Sequence, residues 1–319
     1  MQLTELRKEL QFNRDLLNLI ETLKNVAAAQ YHQMEKQKAR FDQFMEAFSG
    51  FFRVVNLVDV ANPLVKVVSD TLGIIIITSD SGFMGGLNQG VMRAALNAQG
   101  DMSNDKVSLA VIGDKGGGTF SDMGRKFKFF SGIQQETIYE QAVAVKDYIV
   151  KEVLTGRMGK VVLSYPRALS FSSQDINVIN ILPCAELFDM KAESEVTSHA
   201  KDKNILAEAQ KVIVESSFSS MVEYLAGVWV TSKLYEVFED SKMAEFSARA
   251  MHLEGSVQKV EKVFKKVQHQ VFKAVHELID KQMRESHSAK SLVARKKKKK
   301  KRRVAQDAKD KILRDKKSL

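Results

Sequence analysis

The hydrophobic and polar positions divide the chain into two long outer stretches of one period and a middle of another. Stepping by alternating threes and fours from Met243 gives Met243, Phe246, Ala250, Leu253, Val257, Val260, Phe264, Val267, Val271, Ala274 and Leu278, all apolar. Lys259, Glu261, Lys262, Lys265 and Lys266 fall between them. An apolar seam repeating every 3.5 residues over several heptads predicts a helix that supercoils against a partner helix. The same rhythm runs from Leu3 through Leu6, Leu10, Leu17, Ile20, Ala27, Tyr31, Met34, Phe41, Met45 and Phe48 to Phe52, with Asn13, Lys24 and Lys38 as its polar members. A fifty-residue helix would be about 75 Å long, far beyond the usual globular range. The polar members fix the register or face a different partner. The two seams predict an antiparallel pair formed by the ends of the chain.

The middle reads differently. Residues 73–78 (GIIIIT), 107–112 (VSLAVI) and 160–165 (KVVLSY) are short β-branched runs of the kind found in strands buried on both faces. Residues 175–182 and 211–215 are candidates for a fourth and a fifth strand. Helical stretches at 89–99 and 137–154 lie between some of them, the second with Ile138, Ala142, Val145, Ile149 and Val153 on one face. Strand and helix in alternation predict an α/β domain with a partly parallel sheet. The expected organisation is a coiled-coil helix over 1–60, an inserted α/β domain over 70–215, a second coiled-coil helix over 216–290, and a basic disordered tail over 291–319.

Composition changes this picture in two places. The net charge of +10 is concentrated in the tail: residues 291–319 hold fourteen Lys/Arg and three Asp, which leaves the other 290 residues at −1. The body therefore gives no electrostatic argument for nucleic acid. One cysteine, Cys184, excludes an internal disulfide framework and suits a reducing compartment. No apolar run approaches the roughly 20 residues that span a bilayer, and the N-terminus, with Glu5 and Glu9, has no signal-like apolar region. These features predict a soluble cytoplasmic protein.

Two glycine-rich loops follow strands, where phosphate-binding loops sit. Residues 79–88 (SDSGFMGGLN) lack the G-x-G-x-x-G spacing, and residues 113–118 (GDKGGG) lack the Lys-Ser/Thr ending of a P-loop. Both are read as structural tight turns. His269 and His276 lie seven apart on one helix, but no carboxylate or cysteine joins them as a metal set. No nucleophile–base constellation stands out. The expectation is no catalytic residue, no cofactor and no metal.

Residues 74–88 (IIIITSDSGFMGGLN) resemble the gamma subunit of F-type ATP synthases, in which an Ile/Val strand leads into Thr-Ser-Asp, a glycine-rich turn and a hydrophobic-Asn pair. Ser79, Asp80, Gly82, Gly85, Gly86 and Asn88 fit that pattern, with Met84 at the family's cysteine. Gly113-Asp-Lys-Gly116 with Phe120, Ser164-Tyr165 and Leu182-Pro183 are similar to further family signatures. So are Leu234-Tyr235 with Glu245 and Arg249 at the family's spacing, and residues 23–29 with Lys24 on its lysine. The resemblance covers about residues 1–290. It implies a long antiparallel coiled coil of N- and C-terminal helices with an inserted Rossmann-like α/β domain. It also implies the role of a central rotor shaft, a non-catalytic subunit of a proton- or sodium-translocating complex. The implied partners are the alpha and beta subunits of the hexamer, an epsilon subunit and a membrane c-ring, with one copy of the shaft per complex. The implied location is peripheral, on the cytoplasmic face of the inner membrane.

The chain departs from the family at Ser216 (usually Pro), Glu21 (usually Lys) and His276 (where an Arg-Gln pair ends the last helix), and it continues about thirty residues past the usual end. These departures mark a divergent member, from an alternative or sodium-pumping ATPase or a specialised ATPase-like motor. A second reading is a nucleic-acid-binding coiled-coil protein that acts through the nine consecutive basic residues 295–303. Against it, residues 291–319 contain no aromatic side chain on which a base could stack. For the tail, either an acidic surface or nucleic acid is the expected partner.

Overall fold

The computed structural model describes the backbone of residues 3–55, 62–67, 69–184 and 218–315, with side chains over 3–36, 62–67, 69–184, 220, 223–300 and 303. Within these residues the chain forms α1 (Leu3–Val55), β1 (Leu72–Ile77), α2 (Leu87–Gln99), β2 (Val107–Ile112), α3 (Asp114–Asp122), β3 (Lys128–Phe130), α4 (Ile138–Leu154), β4 (Lys160–Ser170), β5 (Ser173–Leu182) and α5 (Phe218–Asp315). It divides into two compact units: residues 1–19 with 257–319, and residues 20–256.

The larger unit is built on a five-stranded sheet in the order β3-β2-β1-β4-β5. The first four positions in that order are parallel to their neighbours, and β5 returns antiparallel to β4. Every residue of β1 is buried, which its run of isoleucines requires: with a period of two, both faces must be apolar. Ile74 and Ile76 pack with Val91, Met92 and Ala95 of α2 and Phe120 of α3. Ile75 and Ile77 turn to the other face, against Ala142, Val145, Ile149 and Val153 of α4. That second core also holds Tyr31 and Met34 of α1 and Val230, Leu234, Val237, Phe238, Met243 and Phe246 of α5. Helices on both sheet faces and a reversal of strand order beside β1 make this a doubly wound, Rossmann-like domain.

The terminal helices pair as their seams require. In the smaller unit the Arg14 guanidinium lies over the Phe264 ring, 5.8 Å from its centroid. Ten residues further along α1, in the larger unit, Lys24 Nζ bonds Glu254 Oε2 at 2.9 Å, ten residues back along α5. The opposed steps are those of an antiparallel pair. Leu6, Ala27, Tyr31 and Met34 of the first seam are buried, as are Met243, Phe246, Ala250, Leu253, Val257 and Val267 of the second. The polar member Asn13 is only 7% exposed, and its amide donates to the Glu9 carbonyl at 2.8 Å. Lys24 spends its charge on Glu254. The side chain of Lys38 lies outside the described residues.

Two expectations need correction. The tail expected to be disordered from residue 291 is helical: α5 continues to Asp315, past the expected end at 290. No glycine follows Gly255 and no proline follows Pro183, and Ala, Leu, Lys, Arg and Gln are good helix formers. The helix upstream supplies the nucleus, so propagation has only the like-charge pairs to oppose it, at about 0.2–0.5 kcal/mol each. The turn expected at 113–118 opens α3 instead, and β3 was not foreseen. The candidate strand at 211–215, with the rest of 185–217 and residues 56–61, lies outside the described residues.

Candidate functional site

In a doubly wound sheet a ligand would enter at the carboxyl ends of the strands beside the reversal, here the loops that leave β1 and β4. Of the family positions, Ser79, Asp80, Gly82, Gly85 and Gly86 lie on the loop from β1 into α2, and Asn88 lies in the first turn of α2. Ser79 and Asn88 close that loop on each other. The Ser79 amide donates to Asn88 Oδ1 at 3.2 Å, Asn88 Nδ2 donates to Ser79 Oγ at 2.9 Å, and Ser79 Oγ donates to the Ser81 carbonyl at 2.8 Å. Gly82 lies in open space, Gly85 turns at φ 58° beside His252, and Gly86 is the residue before α2. Phe83 also has positive φ, 65°, and is exposed, while Met84 is buried.

The strand end also consumes the start of α3. A helix N-terminus offers unpaired N–H groups and a partial positive charge, the feature that holds phosphate in nucleotide-binding folds. Here Asp114 N donates to Asp80 Oδ1 at 2.9 Å, Lys115 N to the Ser79 carbonyl at 3.1 Å and Gly116 N to Thr78 Oγ1 at 3.0 Å. Asp80 Oδ1 accepts a further bond from Gly132 N at 3.1 Å. The chain's own carboxylate sits where an external anion would. The glycines of 113–117 serve close approach. Gly113 has φ 95° and packs on the Thr78 backbone, and a Cβ on Gly116 would lie 2.6 Å from Thr78 Oγ1.

The crevice beside these loops is lined by Thr78, Ser79, Met84 and Asn88, by Ile133 and Pro166, and by Ser241 and Glu245 of α5. It leaves about 10 Å³, at or below the room one water needs. A nucleotide pocket runs to several hundred Å³. Glu245 is itself held between two cations, with Lys242 Nζ at 2.8 Å and Arg249 at 2.6 Å, and both cations also lie over the Phe246 ring. The structure therefore brings Ser79, Asn88, Glu245 and Arg249 to one closed junction between sheet and helix, with Lys24 on the facing helix paired to Glu254. Tyr235 is elsewhere. It lines an open groove of about 930 Å³ between α4 and the first turns of α5, with Tyr139, Val143, Val150, Tyr224 and Val228. Burial, then the Glu239 carboxylate and a hydrogen bond to it, push its phenol up to about 12.

Thr78, Gly132, Ser241 and Lys242 were not singled out from the sequence. Lys242, three residues before Glu245, was the legible one; the partners of Asp80 and Thr78 lie 34 to 52 residues away. Among the described residues no group of His, Cys, Asp or Glu has the arrangement to hold a metal ion. Among them too, no helix is long and apolar enough to cross a membrane.

A family model described as ATP synthase matches residues 2–305. The chain belongs to the ATP synthase family. It is 21% identical over 258 residues to the ATP synthase gamma chain of Histophilus somni (strain 2336), covering 79% of this chain and 86% of that one. To the gamma chain of Desulforudis audaxviator it is 26% identical over 205 residues, 62% of this chain and 66% of the relative. Among solved structures, a chain of the Euglena gracilis mitochondrial ATP synthase rotor superposes with a TM-score of 0.59 at 16% identity, covering 87% of this chain and 98% of that one. A chain of the Tetrahymena thermophila central stalk and c-ring superposes with a TM-score of 0.54 at 19% identity, covering 75% and 99%. At these identities the superpositions show a shared fold: an ATP synthase family chain with terminal helices around a central sheet.

Proposed function

We propose that this chain is the central rotor shaft, the gamma-type subunit, of an F1-type ATPase or ATP synthase. The observation that carries the reading is the antiparallel pair α1–α5 around an inserted, closed α/β domain, in a chain the family model matches almost end to end. Such a subunit performs no chemistry. Its orientation biases which catalytic site of a surrounding hexamer is open or closed, by differing contacts with each state. A shaft that preferred one angle by several kcal/mol would stall there. The partners are alpha and beta subunits, an epsilon subunit and a membrane c-ring, and the coupling ion is a proton or sodium. The complex sits peripherally on the cytoplasmic face of the inner membrane. The closed crevice supports the non-catalytic part of the reading, since the Asp80 carboxylate caps the start of α3 and the crevice leaves about 10 Å³.

The test is native purification of the tagged full chain from its own cells. A ring of ATPase subunits recovered at one shaft per hexamer is the expected result. Recovery with nucleic acid alone, or with no ring, would overturn the reading. Calorimetry should find no tight ATP binding to the isolated chain, and micromolar affinity would contradict the closed crevice.

A further inference from the structure

Beyond the reach of α1 the last helix is bare. The register set by Arg14 over Phe264 places Leu3, the first residue of α1, opposite about residue 275. From 276 to 300 every residue of α5 is exposed. The run 295–303 lies on this overhang and holds nine basic residues with no other type between them, six of them lysine. At about 100° per residue, the described members 295–300 and 303 point in every direction around the axis, leaving no gap wider than about 100°.

This distribution argues against most partners. A membrane-surface helix needs an apolar face, and this run has none. A docking helix in a protein groove uses apolar anchors at fixed spacing, and lysine is depleted in such interfaces. A duplex groove holds a recognition helix in one orientation through its side chains, and a single strand needs aromatic platforms. A charge spread evenly around a rod suits a partner that surrounds it. Lysine suits that task better than arginine: it is a hydrated point charge on a flexible stem, without the rigid fork that locks onto one carboxylate. At physiological salt such contacts act over about 8 Å, so neither surface has to interlock.

We propose that residues 295–303 form an electrostatic bearing, a helical rod carrying positive charge on every side that turns within a collar of carboxylates presented by a protein partner. The proposal rests on the rotor reading. Because the charge has no preferred side, attraction to the collar centres the rod while its angle stays free.

The experiment uses the native complex with the full chain in place. Carbodiimide, which joins an amine to a carboxylate in direct contact, should couple lysines among 296–300 to Asp or Glu peptides of a protein in that complex. Two variants of equal charge then test the symmetry. Lys296→Gln, Lys300→Gln and Arg303→Gln remove charge from one side, whereas Lys296→Gln, Lys297→Gln and Lys298→Gln remove it from all round. All five positions are exposed, and the recovered ring reports assembly. In single-molecule rotation the one-sided variant should add one several-fold longer dwell per turn, and the all-round variant should not. Equal dwell patterns, coupling to no protein carboxylate, or nuclease- or detergent-sensitive retention of the run on nucleic acid or lipid would overturn the bearing while leaving the rotor standing. Absence of the ring from the purified complex would overturn both.

Discussion

Asp80→Ala tests the closed junction most directly. The wild-type carboxylate accepts backbone N–H bonds from Asp114 at 2.9 Å and Gly132 at 3.1 Å, one at the start of α3 and one after β3. Removing an N-terminal capping carboxylate costs about 0.5–2 kcal/mol. The second bond ties a separate segment, so the upper end, about 2 kcal/mol, is expected. For a unit of this size each kcal/mol moves the melting temperature by about 2–4 °C, so the variant should melt about 4–8 °C lower. Asp80→Asn retains an acceptor oxygen and loses the charge that complements the helix dipole, a loss of about 0.3–1 kcal/mol. The assay is thermal unfolding followed by circular dichroism, with and without sulfate. The alanine variant frees a helix N-terminus for an anion, so sulfate should restore part of its loss and do little for the wild type. Equal melting of wild type and Asp80→Ala, or no recovery in sulfate, would refute the argument that Asp80 takes an anion's place.

Gly116→Ala puts a Cβ 2.6 Å from Thr78 Oγ1 and 2.8 Å from Val111 Cγ1; overpacking there should cost about 1–3 kcal/mol in a denaturant melt, and an unchanged midpoint would contradict the packing. The Lys24–Glu254 pair is partly exposed, so a double-mutant cycle should give a coupling of only about 0.2–1 kcal/mol, with the doubly reversed Lys24→Glu, Glu254→Lys chain close to wild type. Burial pushes the Cys184 thiol up to about 12, so a thiol reagent at mildly alkaline pH should label it only on unfolding. The Tyr235 phenol is raised to about 12 from an ordinary value near 10, so its stabilising contribution is complete below about pH 10 and is lost as pH rises towards 12. Tyr235→Phe should remove a phenol that ionises near pH 12 from a tyrosinate absorbance titration.

What was legible in the sequence followed from periodicity. The two seams announced paired helices because a 3.5 repeat sustained over many turns draws one apolar line along each helix, and only a second helix of the same length covers such a line from water. The isoleucines of β1 announced a strand buried on both faces. The failures have physical causes too. Lys128–Phe130 is three residues long and shows no alternation to detect. Residues 113–118 read as a turn because three adjacent glycines oppose helix formation locally, at about 1 kcal/mol each. Packing against Thr78 and Phe129, which only glycine permits, overrides that preference. The tail's charge density suggested disorder, but like-charge repulsion of a few tenths of a kcal/mol per pair is too small to end a helix already propagating through it.

The junction between sheet and helix was the least legible feature, and it accounts for most of the domain's character. Ser79, Asn88, Glu245 and Arg249 were singled out by resemblance alone, and the loop that carries the first two was read as a structural tight turn. Their partners are one another's neighbours: Asn88 completes the Ser79 loop, and Ser241 and Glu245 of α5 finish the wall that loop begins. Around the same sheet edge Gln174 Nε2 bonds Ser247 Oγ at 3.0 Å, and Phe171 at the β4–β5 turn packs edge-on against Tyr31 of α1. A nucleotide-binding sheet keeps its crevice open because ligand binding needs mobile, unpaired groups at the strand ends. Here Ser79, Asp80 and Asn88 are paired internally, and the β4–β5 hairpin contacts α1 through Phe171 and α5 through Gln174. Polar contacts with defined geometry resist sliding in a way that apolar packing alone does not, since hydrogen bonds weaken steeply with angle. Within this unit the topology of a nucleotide-binding fold has become a clamp that holds two helices in register, which is the mechanical property a shaft requires.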